Sequence, residues 1–242
     1  MKRYINGECF EGASAKGDDC KETEEIVRRI RADLRLSMNG VVAASMREKG
    51  VSYRMVFGVS TGELRKISLK YPSGKELAER LWREDVRELK ILATLLYPPE
   101  LFSRTTADRW VREINNQEMR EQVSMNLFQK LPFAGALAAA CIGDDAQQIR
   151  ITGYGLFARL CITRPKELME TSCMLEKAVV DLENPSLLLR QSALNALRFY
   201  GRRAAERAGE VLRKVAAFEH SENESKREIF AQLRFEFDGD AS

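Results

Sequence analysis

A chain of 242 residues with 44% hydrophobic and 31% charged side chains, 15 glycines and 6 prolines suits a helix-rich folded protein and excludes a fibre or a disordered chain. The formal charge of +3 is unevenly spread: residues 1–25 carry −3 and residues 219–242 carry −4, which leaves +10 on the body between them. The one histidine, His220, lies in an acidic tail segment, which argues against a histidine triad and a multi-histidine metal site, and five scattered cysteines without a C-x-x-C pair argue against a disulfide framework or zinc knuckle.

A basic body between acidic ends draws a polyanion such as nucleic acid, although solvated Arg and Lys on outer helix faces give the same balance. The first twenty residues lack the apolar run of a signal peptide, and no later stretch has the length to cross a bilayer. A cytoplasmic protein without membrane contact or cofactor is expected, and any chemistry falls to carboxylate, Lys, Tyr or Cys side chains. Cys141, Cys161 and Cys173 read as small core fillers.

Residues 1–21, with three glycines, two aspartates and no sustained period, read as a loose N-terminal arm before a single domain over 22–238. From there helical periodicity continues almost without a break. "TEEIVRRIRADLRLS" offers Thr23 as N-cap and Ile26, Ile30 and Leu34 as an apolar stripe. "NGVVAASMREKG" ends at Gly50, a C-cap. "GVSTGELRKISLKY" starts on Ser and Thr caps and stops at Pro72, and "VRELKILATLLYPP" stops at Pro98 and Pro99. Further helices follow in "TTADRWVREINN", "QEMREQVSMNLFQKLP", "PFAGALAAACIG", "DAQQIRITGYGLFARLCI", "PKELMETSCMLEKAVVDL", "NPSLLLRQSALNALRFYG", "RRAAERAGEVLRKVAAF" and "SKREIFAQLRFEF". Gly153 and Gly155 in "TGYG" have no strand before them and no G-K-[ST] after, so close helix packing accounts for them better than a phosphate loop.

An apolar residue followed by Arg recurs early in four of these helices, at Arg87, Arg120, Arg150 and Arg190, with spacings of 33, 30 and 40 residues. That range belongs to solenoids of helical pairs, and "NPSLLLRQSALNALRFYG" has the pattern of a HEAT repeat. The expected fold is all-α, a HEAT-like helical repeat superhelix of about six pairs, similar to an armadillo stack. In such repeats the recurring Arg has a structural use, pairing with acidic groups or helix ends of the next repeat. Trp82 and Trp110 sit in apolar stripes and read as core.

From about Gly40 to Tyr200 the chain resembles the DNA alkylation repair (AlkD-like) family of HEAT-like-repeat DNA glycosylases. The resemblance lies in "FGVSTGELRKI", "ELAERLWREDVRELKILATLL", "DRWVREINN" and "EQVSMNLF", in that order and spacing. It implies removal of cationic alkylated purines, in which a carboxylate stabilises charge developing on the sugar and aromatic rings meet the lesion. The family places that carboxylate, an Asp, four residues after a Trp, and takes a second Trp from the last repeat. Those positions fall here on Glu121, Gln117 and Asn195. Glu121 keeps the charge but adds a methylene, and a shift of about 1 Å at a reacting group costs orders of magnitude in rate. Gln117 and Asn195 have no π face.

Three readings follow. The chain is a double-stranded-DNA-binding relative without standard excision, or a glycosylase using Glu121, or a scaffold for a protein partner without DNA function. A monomer is expected. For phosphate contact the candidates are Arg65, Lys66, Arg150, Arg190, Arg198, Arg202 and Arg203, which follow helix starts or lie on the second helices of the aligned repeats. Each true phosphate contact steepens the salt dependence of binding by about one unit. If Arg65, Arg150 and Arg190 instead neutralise neighbouring carboxylates, the scaffold reading gains.

Overall fold

A computed structural model describes the backbone of residues 13–49, 53–167 and 171–239. Thirteen α-helices run through the described residues, which contain no strand and only one isolated bridge, between Met55 and Val86. None of these helices is long and apolar enough to cross a membrane. Contacts divide the chain into two compact units at Pro98. The diproline there both stops a helix and leaves the chain without two backbone donors.

In the first unit, α1 (Ala13–Leu36) buries Ile26, Val27, Ile30 and Leu34. Of the stretch read as an arm, residues 13–21 belong to this helix, and residues 1–12 lie outside the described residues. Thr23 therefore sits inside α1 rather than capping it. Only Gly17 interrupts the run before it, and one glycine costs about 1 kcal/mol relative to alanine. Extending an anchored helix is easier than nucleating a new one, so the chain continues through. α2 (Gly40–Glu48) is capped by Asn39, and α3 (Thr61–Ser68) by Ser60, whose hydroxyl accepts from Glu63 N at 3.2 Å. Gly50, read as the C-cap of α2, lies outside the described residues. α4 (Lys75–Trp82) packs on α1 and on α5 (Arg87–Leu96).

A buried ion pair ties this unit together. The Glu88 carboxylate accepts from Phe57 N and Gly58 N at 3.0 Å each, while Arg87 Nη1 donates to Val59 O at 2.9 Å and to Glu88 Oε1 at 2.8 Å. Gly58 has φ +73°, and a Cβ there would lie 2.2 Å from Asn39 O, so this turn requires glycine. "FGV" and "RE", two blocks that carried the family resemblance, are thus two halves of one structural knot. Phe57 is buried in it.

The second unit holds α6 (Arg104–Glu113), α7 (Gln117–Asn126), α8 (Ala134–Ile142), α9 (Gln147–Thr163), α10 (Ser172–Asp181), α11 (Leu187–Gly201), α12 (Ala205–Lys214) and α13 (Glu224–Gly239). α9 packs against α8, α7 and α11, and α11 also meets α10, α12 and α13. Gly153 permits the close approach of α8 and α9: a Cβ there would lie 2.8 Å from Cys141 Cβ. Gly155 differs, since a Cβ on it would meet open space, so packing does not explain it. Trp82 and Trp110 are core residues. Cys141 and Cys161 are buried, but Cys173 is exposed in the first turn of α10 and fills no core.

Candidate functional site

The second unit contains a cleft of about 320 Å³ lined from α7, α9 and α11. α7 begins at the cap Asn116, whose side chain accepts from Met119 N at 2.9 Å. That cap starts the helix at Gln117, so Gln117 and Glu121 stand one turn apart on one face. Both line the cleft, joined by a 2.9 Å hydrogen bond from Gln117 Nε2 to Glu121 Oε1. Asn195 and Phe199, again one turn apart, reach it from α11. All three positions singled out by the family resemblance therefore meet at one place.

The deeper surface comes from residues that sequence reasoning passed over. Arg120 and Ser124, 3% and 5% exposed, contribute to the lining from α7. Arg120 Nη2 donates to Gln148 Oε1, while Arg120 Nε and Ser124 Oγ have no hydrogen-bond partner. Burial lowers the pKa of Arg120. Arg159, on α9, lines the cleft and donates from Nε to Gln129 Oε1 at 2.9 Å. Tyr154 is buried, with its hydroxyl donating to Asp181 Oδ2 at 2.7 Å. Burial, and then the Asp181 contact, raise its pKa, so it stays a neutral donor. Gly155 also lines the cleft, and its missing side chain leaves space there. The only sequence signal for Arg120 was the recurring apolar-then-Arg pattern, which pointed to structure.

The proposed phosphate contacts divide by environment. Arg150 is 7% exposed, and its Nε lies 3.0 Å from Asp181 Oδ2 as a charge contact rather than an aligned hydrogen bond. Its Nη1 donates to the Asp144 and Asp145 carbonyls at 3.0 and 2.8 Å. A guanidinium so occupied is a structural clamp and is withdrawn from the phosphate contacts. Arg190 repeats the device, with Nη1 donating to the Asn184 and Pro185 carbonyls at 2.6 and 3.0 Å. Arg227 repeats it on Ser221 and Glu222. Arginines at these positions fasten the turn that precedes their own helix. Arg198 and Arg202 both pair with Glu236 of α13. Arg203 is exposed just after α11. In the first unit Arg65 and Lys66 are exposed on α3, with Lys66 3.0 Å from Glu63. Surface pairs of that kind are worth about 1 kcal/mol or less and exchange readily for another anion.

A family model described as DNA alkylation repair enzyme matches residues 30–228. No curated protein matches the chain. Among solved structures, the chain is similar to a member of a family of proteins related to the HEAT-like repeat DNA glycosylases with affinity for branched DNA structures. The identity is 17% and the TM-score 0.71, covering 86% of this chain and 94% of that one. That likeness establishes the HEAT-like repeat fold. A designed armadillo repeat protein aligns at 14% identity and TM-score 0.38, over 73% of this chain and 92% of its own. A second, in complex with a (KR)4 peptide, aligns at 15% and 0.44, over 90% and 94%.

Proposed function

Because this chain belongs to the DNA alkylation repair enzyme family, we propose that it binds DNA and does not excise alkylated purines by the family's standard chemistry. The observation that carries this reading is the amide–carboxylate pair in the cleft. Gln117 donates to Glu121 at 2.9 Å at the positions where the resemblance implies a Trp and an Asp. A π face would attract a cationic base, and an amide does not replace it. Asn195, the other implied Trp position, also lines the cleft without a ring.

Affinity then rests on phosphate contacts, with little reading of sequence. Arg203, Arg65 and Lys66, all exposed, are the side chains proposed for these contacts. Arg198 and Arg202, which both pair with Glu236, lie on the same stretch as Arg203 and are proposed beside it. The solved relative belongs to a family with affinity for branched DNA structures, so a branched substrate belongs beside plain duplex in the test.

A second reading has one observation in its favour: Glu121 lines an open cleft together with an aromatic residue, Phe199. In that reading Glu121 stabilises the developing sugar charge and the protein is an alkylpurine glycosylase. Base release from duplex DNA containing N7-methylguanine or N3-methyladenine separates the two. Bound DNA without release supports the non-excising reading. Release that disappears in Glu121→Gln overturns it in favour of the enzyme.

A further inference from the structure

Among the described residues three arginines are buried: Arg87, Arg120 and Arg150. Two of them face a buried carboxylate, Glu88 at 2.8 Å from Arg87 and Asp181 at 3.0 Å from Arg150. Arg120 does not. Its described partner is the neutral Gln148, its Nε has no acceptor, and burial is the one influence displacing its pKa. A buried cation without a counter-ion is costly, and folded proteins generally pair such a group or give it a ligand.

The unpaired donor does not stand alone. Ser124, one turn further along α7 and on the same face, is also buried with an unpartnered hydroxyl, and both residues line the cleft. Arg159 adds a second guanidinium from α9. Against these stands one carboxylate, Glu121, exposed and held by Gln117. The local balance favours an anion at the deeper side, and the cleft volume of about 320 Å³ falls at the lower end of ligand sites.

We propose that Arg120 and Ser124 form an anion subsite that takes the phosphate of a nucleotide, with the base directed toward Phe199 and Asn195 in the same cleft. The guanidinium and hydroxyl donate to phosphate oxygens, while the ring offers a stacking face and the amide a base-edge contact. One phosphate chemistry has two sources here, an unpaired nucleotide of a DNA strand or a free mononucleotide. Only the first source rests on the DNA-binding reading.

The test titrates the full chain with inorganic phosphate, with deoxyadenosine monophosphate, and with a single-stranded oligonucleotide, followed by calorimetry and by thermal melting. The proposal expects saturable binding of the nucleotide that Arg120→Met weakens by about tenfold or more, the loss of one charge-assisted hydrogen bond. Ser124→Ala weakens it less. Glu121→Gln strengthens it several-fold by removing the opposing charge, and this variant keeps Arg120 and its packing intact. Arg120→Met is expected to melt at or above the wild-type temperature, because it removes an uncompensated buried charge. A clear fall in melting temperature for Arg120→Met, or nucleotide binding unchanged in it or in Glu121→Gln, overturns the proposal. Saturation by the nucleotide but not by the oligonucleotide assigns the subsite to the free ligand, and the reverse assigns it to DNA. Duplex binding measured beside these titrations keeps the two claims apart: Arg120→Met that binds duplex normally but no nucleotide supports the subsite whatever carries the duplex.

Discussion

Arg87 in the first unit and Arg120 in the second are both buried guanidinium groups early in a helix, and both follow an apolar residue in the same recurring pattern. Arg87 is closed off by Glu88 and the Val59 carbonyl, and the carboxylate in turn holds the Phe57 and Gly58 amides. Arg120 meets Gln148 and a cleft. The recurrence marks a position in the repeat, and what faces that position decides between a structural knot and a site. Burial of a charge alone says little about its use; the absence of a compensating charge says more.

The largest expected effect lies on the knot. Glu88→Ala leaves Arg87 buried without its carboxylate and strips two close amide contacts, so urea unfolding is expected to show a loss of about 3–5 kcal/mol. A loss below about 1 kcal/mol would erase the contrast between the two arginines. Gly153→Ala tests the frame of the cleft rather than its charge. Its Cβ would meet Cys141 Cβ and Ile142 N at 2.8 Å, and overpacking of this kind costs about 1–3 kcal/mol. Gly155→Ala has open space and should leave stability nearly unchanged, so equal losses at the two glycines would contradict the close α8–α9 approach.

A smaller effect sits at Glu84 in the first unit. Burial acts to raise its pKa, but hydrogen bonds and charge from Arg80 and then Arg31 outweigh it and the pKa is lowered below 4.5. A depressed folded pKa stabilises above the unfolded value and loses that stability as pH falls through the folded one. Glu84→Gln should therefore flatten the acid side of the melting-temperature profile below its ordinary pKa. The group is partly solvated, so the contribution is about 1 kcal/mol or less. An unchanged acid profile would remove Glu84 from the account. The smallest expected change is in thiol labelling. Burial pushes Cys141 and Cys161 up to about 12, so peptide mass spectrometry at neutral pH should find Cys173 modified and those two intact. Rapid labelling of Cys141 or Cys161 would show that the α8–α9 packing opens readily.

Most of the helices were legible in the sequence because apolar spacing, caps and proline stops agreed: Ser60 begins α3, and Pro98 and Pro99 follow the end of α5. The start of α1 was not legible, since an anchored helix propagates through residues that look like a loop. The rim of the site was partly legible. Gln117, Glu121 and Asn195 were reached through the family resemblance, and helical spacing placed the first two together. The roles of the arginines were not, because each depends on a partner remote in sequence or on carbonyls five and six residues back. Arg150 and Arg190 looked like phosphate ligands and are turn clamps. Arg120 looked structural and stands in the cleft.

The most direct measurement is binding of the full chain to a fluorescent duplex and to a branched junction across a salt series. The account predicts binding to DNA at low salt, with log affinity falling linearly against log salt, and a slope that Arg203→Ala makes shallower by about one unit. No binding to either DNA at low salt would contradict it and leave the repeat as a scaffold for a protein partner.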